Sequence, residues 1–184
     1  MIGNTAERWG LVSIAMHWTV AGLILCVQLP AAFLMDAVGP GALQNTLYFT
    51  HKNVGIVIFL LALFRLAWRW KHPVPALPAD LPRWQAAAAH ATHVLIYVVL
   101  FAMPISGFLY TGLGGFPIPF LGLYDLSQLL PTDKAASELF KGIHEAGQWV
   151  LYAVVVMHVG GALQHHFVRR DHVLRRMLSS KKPL

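Results

Sequence analysis

Four apolar segments constrain this sequence more than any other feature, because each is long enough to cross a bilayer as a helix. About 20 apolar residues span the hydrocarbon core, and the segments run over Val12–Met35, His51–Trp70, Ala88–Thr111 and Ile143–Val168. Helices of a soluble bundle would show a polar face at helical spacing, which these segments almost lack. Charged residues make up only 12% of the chain, about half the usual share of a soluble domain. The pattern predicts an all-α membrane protein, a four-helix bundle formed by one domain over residues 1–184.

The basic residues are unevenly distributed between the ends of these segments. Eleven of the 14 lysines and arginines fall on one predicted side: Arg8, Arg65, Arg69, Lys71, Arg83, Arg169, Arg170, Arg175, Arg176, Lys181 and Lys182. Because cytoplasmic loops carry the excess of Lys and Arg, we predict an inner-membrane protein with both termini cytoplasmic. This bias also accounts for the net charge of +6, so nucleic-acid binding is not expected.

The connecting segments differ in composition. Lys71–Trp84 contains four prolines and is typical of an extended cytoplasmic connector. Gly112–Gly142 is the longest segment outside the predicted spans, and we expect it to form a turn followed by a short amphipathic helix on the periplasmic surface.

Ten histidines occur among the 184 residues, and four lie in the predicted spans at two depths. His144 and His158 are fourteen residues apart, close to four helical turns, so both imidazoles face the same way about 21 Å apart along the axis. His51 matches His144 in depth, and His17 matches His158. Ionisable side chains inside a membrane are costly and usually functional. We therefore predict two haems b, one ligated by His51 and His144 and the other by His17 and His158.

Two alternatives compete with haem binding: close helix packing as the role of the small residues, and a zinc or copper site at the histidines. Small residues beside the ligands (Ser13, Ala21, Gly55, Gly147 and Gly161) would leave room for a flat macrocycle, although small residues also let membrane helices approach closely. A zinc or copper site requires more ligands than the two nitrogens available at each depth.

The predicted ligation limits the chemistry. An iron ion with two imidazole ligands has no vacant axial position, which favours electron transfer over oxygen activation. Cys26 is the only cysteine and no C-x-x-C-H motif occurs, so the haems are expected to be held by coordination and packing.

At these residues the sequence resembles the bacterial cytochrome b561 family. The matching motifs are RWGLVSIAMHW around His17, HKNVG with LFRLAWR, AHATHVLIY with MPISG, and the stretch from IHEAGQWVLY to DHVLRRML that contains His144 and His158. The resemblance implies a four-helix, dihaem cytochrome linked to quinone, with His17, His51, His144 and His158 as the four ligands. It also implies either superoxide oxidation with reduction of ubiquinone or electron transfer from quinol to a periplasmic redox protein.

Other polar residues are candidates for secondary roles. His93, near the cytoplasmic start of the third helix, is a candidate for contact with quinone or with a haem propionate. His165, seven residues after His158, is expected on the same face and is the preferred quinone or proton-transfer residue. Arg65 and Arg69 are candidate propionate partners, with lipid headgroups as the alternative.

Two other functional classes remain open. The chain could be the cytochrome subunit of a larger enzyme, such as a hydrogenase or formate dehydrogenase, although it lacks the extra spans or long docking segments usual in such subunits. It could also be a non-catalytic haem-binding or sensor protein. Against superoxide oxidation, the Gly112–Gly142 segment carries two lysines and three acidic residues, whereas an anionic substrate is steered by positive charge.

Overall fold

The structure is a computed structural model that describes residues 1–179. Within that range four helices are long and apolar enough to cross a membrane, and we name them the first to fourth spans: Leu11–Ala37, Ala42–Lys71, Arg83–Leu113 and Lys134–Arg169. The predicted all-α bundle of four spans is confirmed. Lys181 and Lys182, two of the residues used to predict orientation, lie outside the described range.

The predicted boundaries of two helices were wrong. The second span begins at Ala42 and the fourth at Lys134, each nine residues before the predicted start. Hydropathy marks where a helix enters hydrocarbon, but a helix continues into water as long as its backbone hydrogen bonds are made. His51 and His144 therefore lie well inside their helices and do not open them.

The prediction of a separate surface helix after the third span was also wrong. The chain forms a two-stranded antiparallel hairpin, Pro119–Phe120 with Tyr124–Asp125, followed by a 3₁₀ helix at Leu126–Leu129. Asp125 closes this hairpin, because its carboxylate accepts hydrogen bonds from the backbone N–H of Ile118 at 2.7 Å and from Ser127. The same hydrogen bonds, led by that from Ile118, hold the pKa of Asp125 below its ordinary value.

Two spans contain π-helical segments. In the first span Ile24–Gln28 separates the α-helical parts Leu11–Leu23 and Leu29–Ala37. The segment ends two residues before Pro30, which has no N–H to continue the α-helical ladder. In the fourth span the α-helix Lys134–Leu163 continues as a π-helix over Gln164–Arg169. Such segments change the direction in which side chains point and often occur at functional sites.

The bundle has an apolar core midway along the helices. A buried apolar cluster joins the first, second and third spans through Val20, Ile58, Ala62 and Leu100. It lies between the two levels at which the histidines meet.

One end of the bundle, which we call the tail end, is fastened by polar contacts. The buried Asn4 side chain accepts from the Gly10 N–H at 2.9 Å and from Ser13 at 2.7 Å, and it donates to the Pro73 carbonyl at 3.1 Å. A short C-terminal helix, Val173–Leu178, returns to this end, where the Met177 carbonyl accepts from the Trp18 indole at 2.7 Å. The opposite end carries the hairpin, and we call it the hairpin end.

Candidate haem-binding sites

The first imidazole pair joins the second and fourth spans toward the hairpin end. The ring centroids of His51 and His144 are 6.1 Å apart, and the ring planes are 81° apart. A metal ion held between two imidazoles by bonds of about 2 Å places the ring centroids roughly 6 Å apart. The spacing of this pair, which we call the outer pair, fits one iron ion.

A cavity of about 890 Å³ opens beside the outer pair. Its volume and its mostly apolar lining are typical of a cofactor pocket. All four spans and the hairpin contribute to its walls, and its lining includes His51, Gly55, Gly107, His144, Gln148 and Tyr152.

His144 is oriented by the third span. Its Nδ1 lies 3.0 Å from the Met103 carbonyl oxygen and 3.2 Å from the Ser106 hydroxyl. An N–H at Nδ1 donates to that carbonyl, which leaves Nε2 with its lone pair available for a metal ion. Gly107 makes room for the ring, because a Cβ atom there would lie 2.9 Å from His144 Cε1.

His51 presents a different environment. Its Nδ1 is buried and has no hydrogen-bond partner among residues 1–179, a costly state for a polar atom unless something else binds the ring. The buried Gln28, at the end of the π-helical segment, donates from Nε2 to the His51 carbonyl at 2.9 Å. Gln28 thus ties the first span to the second at the level of this imidazole.

The second set of imidazoles, which we call the inner cluster, lies nearer the tail end. The His17 and His158 ring centroids are 5.9 Å apart, again the spacing that fits an iron ion. His93 joins this cluster, with its ring centroid 5.5 Å from that of His158. Ring separation alone therefore allows either His17 or His93 to be the partner of His158.

Two arginines border the inner cluster. The guanidinium groups of Arg65 and Arg69 each lie 5.9 Å from the Tyr97 ring centroid, and Arg65 Nη2 is 3.4 Å from His17 Nδ1. Neither arginine takes part in an ion pair within residues 1–179. Two partly buried cations without a carboxylate partner make this a suitable place for an anionic group.

His165 faces a carboxylate beyond the end of the fourth span. It is buried, and its Nδ1 lies 2.6 Å from Asp171 Oδ2. Burial alone would raise the pKa of Asp171, but hydrogen bonds from His165 and the Val173 N–H hold the pKa below its ordinary value. Arg169 donates to Asp80 at 2.6 Å and so links the same region to the connector between the second and third spans.

The small residues singled out from the sequence have unequal roles. A Cβ atom on Gly55 would meet Gln28 at 3.6 Å, one on Gly147 would meet Met103 Sδ at 2.5 Å, and one on Gly161 would meet nothing. Sequence reasoning missed Gly107, Ser106 and Gln28. Only the MPISG motif, which contains Ser106 and Gly107, gave a signal for any of them.

The residues present fit haem at the outer pair. They provide two facing imidazoles, the His51 Nδ1 atom without a hydrogen-bond partner among the described residues, and a cavity. They also provide Gly107, where a side chain would collide with the His144 ring. In the described part of the chain no group of three or more His, Cys, Asp or Glu side chains is arranged to hold a metal ion. The donors thus fit the two axial positions of a macrocycle-bound iron better than a site made by side chains alone.

Replacing Gly107 with alanine should displace the His144 ring and weaken haem retention at the outer pair. Overpacking of this kind costs about 1–3 kcal/mol, which corresponds to a roughly 5- to 150-fold loss of affinity. Haem titration of the purified protein, followed by absorbance, measures the effect. Gly160→Ala is the matched control because its Cβ atom would meet no described atom within 4 Å, and equal retention in both variants would contradict the prediction.

Comparison with known proteins agrees with this geometry. Residues 8–180 match the family model described as prokaryotic cytochrome b561. Cytochrome b561 homolog 2 of Escherichia coli (strain K12) is 32% identical, over 95% of this chain and 93% of the relative. Cytochrome b561 homolog 1 of the same strain is 28% identical, over 96% and 99%. A Yersinia pestis protein named "Probable superoxide oxidase CybB" is 25% identical, over 96% and 98%. The chain therefore belongs to the prokaryotic cytochrome b561 family of membrane electron-transfer proteins.

Proposed function

We propose that this chain carries electrons across the bacterial inner membrane through two haems b and exchanges them with the ubiquinone pool at the tail end. One observation carries the proposal. Facing imidazoles occur at two levels, with ring separations of 6.1 and 5.9 Å, and the fourth span supplies one imidazole to each level about 21 Å apart along its axis. One helix thus contributes a ligand to each of two stacked haems.

The ligand side chains favour simple electron transfer. When bound between these imidazoles, a haem b would supply reversible one-electron chemistry. On the protein side, the Met103 carbonyl fixes the His144 ring, so no large reorganisation of this ligand is needed when the charge of the site changes.

Arg65 and Arg69 suit the carboxylates of the inner haem. They border the cluster of His17, His93 and His158 and have no acidic partner among the described residues. Paired arginine and carboxylate groups form strong, charge-assisted hydrogen bonds. His93 lies within the inner cluster, where it suits contact with a propionate or with quinone.

His165 and Asp171 suit the delivery of protons to quinone. With Nδ1–H donated to the ionised Asp171, Nε2 of the neutral imidazole accepts a proton and, once protonated, donates one. An imidazole exchanges protons readily near neutral pH. The pair lies at the tail end, which we place in the cytoplasm because its loops carry most of the basic residues.

Superoxide is the electron donor that we favour, and the Yersinia protein's name supports it. Two superoxide anions would each give one electron and become O₂, and ubiquinone would take up both electrons and two protons to become ubiquinol. Lys52, beside His51, is a positive charge at the cavity, where it donates to the Pro117 carbonyl at 2.8 Å.

A second candidate is electron transfer from quinol to a periplasmic redox protein or a larger enzyme complex. The charge at the hairpin end favours this second candidate, because Asp125 lies near Lys52 and offsets its charge. The segment Gly112–Gly142 also has more acidic than basic residues. A surface of this kind steers an anion poorly.

Stopped-flow reduction separates the two candidates. If superoxide is the donor, mixing the purified oxidised protein with superoxide should reduce its haems on the stopped-flow timescale. Added ubiquinone should then reoxidise them. Superoxide dismutase in the same mixture is the control and should abolish the reduction. Rapid reduction by ubiquinol together with no response to superoxide would favour the second candidate.

Substitution of the four proposed ligands should remove haem in pairs. His51→Ala and His144→Ala should each lose the same low-spin component, and His17→Ala and His158→Ala should each lose the other. The wild-type chain should contain two haems b by pyridine haemochrome analysis. His93→Ala is the control and should retain both haems; retention in His17→Ala with loss in His93→Ala would overturn the assignment of the inner pair.

Removal of the proposed proton donor should affect only quinone chemistry. His165→Ala should keep both haems and normal donor reduction but slow quinone-linked turnover by roughly 100-fold or more, the usual contribution of a positioned acid or base. Asp171→Asn should slow it less and shift its pH profile, since the carboxylate can no longer stabilise the protonated imidazole. The neighbouring His166→Ala is the matched control, and haem loss in His165→Ala would identify His165 as structural.

A further inference from the structure

The turn of the hairpin places a leucine in a backbone conformation that leucine rarely adopts. Leu121 and Gly122 both have positive φ angles, 52° and 73°. Glycine adopts this left-handed region freely and Asn or Asp tolerate it, whereas a leucine there costs free energy. A leucine is therefore an unfavourable residue at the first of these positions unless its side chain gains something elsewhere.

The described residues leave the side chains of the tip largely uncovered. Leu121 is 59% exposed, Leu123 86% and Tyr124 51%. The base of the same hairpin is by contrast fixed, since Ile118 is only 3% exposed and its N–H donates to Asp125. The hairpin therefore has a buried, hydrogen-bonded base and an apolar tip that is strained at Leu121 and that the described residues leave exposed.

The depth of the hairpin indicates what covers this tip. The Asn53 side chain accepts from the Leu121 N–H at 2.6 Å and donates to the Pro119 carbonyl at 3.1 Å. In the second span Lys52 is followed by twelve uncharged residues, numbers 53 to 64, which cover about 18 Å of helix. The predicted apolar segment of this span begins at His51, so Lys52 and Asn53 lie near the point where the helix enters hydrocarbon, and the hairpin lies beside the helix at that level.

We propose that residues 121–124 insert into the interfacial region of the lipid leaflet at the hairpin end. Leucine side chains there leave water for the acyl boundary, and Tyr124 has the amphipathic ring that favours the headgroup level. Lipid burial supplies the stabilisation that offsets the left-handed leucine.

Insertion of residues 121–124 into the leaflet would fix one wall of the cavity at the outer pair. Pro117, Ile118 and Pro119 line the cavity that contains His51 and His144, so the hairpin is a lid whose tip is held by the leaflet. Lys52 and Asn53 hold the base of the lid from the second span. Insertion of the tip into the leaflet does not depend on the identity of the electron donor.

Spin labelling of the haem-loaded full chain in nanodiscs tests the proposal. Phosphatidylethanolamine and phosphatidylglycerol form the bilayer, and Cys26→Ser removes the native thiol. A nitroxide on Leu123→Cys should be more accessible to oxygen, which concentrates in lipid, than to a water-soluble nickel chelate. Ala135→Cys, an exposed position near the start of the fourth span, is the matched control and should show the opposite order.

A second variant keeps the test independent of folding defects. Leu121→Asn suits the left-handed backbone but removes an apolar anchor, so it should raise nickel accessibility at position 123 while the haem spectrum stays unchanged. If the label at position 123 matches the aqueous control at position 135, the lipid anchor is overturned and the tip is left open to a soluble partner. Unchanged accessibility in Leu121→Asn would likewise overturn the role of Leu121.

Discussion

Hydrocarbon cannot hydrogen-bond a peptide group, and the rest of this structure depends on that constraint. Each span must satisfy its backbone internally as a helix, so the depth of a side chain follows from its residue number. His144 and His158 are therefore set about 21 Å apart by four helical turns. The other spans need only bring one imidazole to each level, which His51 does at the outer pair and His17 and His93 do at the inner cluster.

The orientation of the imidazoles at the outer pair comes from neighbouring helices and not from the histidines themselves. The Met103 carbonyl and Gly107 of the third span determine where the His144 ring lies, and Gln28 of the first span contacts the backbone at His51. Because these groups reach the pair from two other spans, the site is a product of the whole bundle. Exchange of a single helix face would disturb it even if both imidazoles were kept.

The two ends of the bundle are built differently. At the tail end the N-terminal segment, the short helix Val173–Leu178 and the connector are joined to the bundle by hydrogen bonds through Asn4, Trp18 and Arg169. The inner cluster and His165 lie nearer this end. At the hairpin end a rigid lid rests on Lys52 and Asn53 beside the outer cavity. The tail end thus suits proton delivery through a fixed polar network, while the hairpin end suits controlled access to an apolar cavity.

The sequence by itself determined the four spans and the depths at which His51 matches His144 and His17 matches His158, because hydropathy and a rise of about 1.5 Å per residue are local properties. It did not determine where the second and fourth helices begin, since a helix does not end at the membrane surface. It also did not predict the hairpin, the packing of the His144 ring against Gly107, or the hydrogen bond between His165 and Asp171. Those features depend on which faces of different helices meet and on the π-helical turn at Gln164–Arg169, and only tertiary packing decides them.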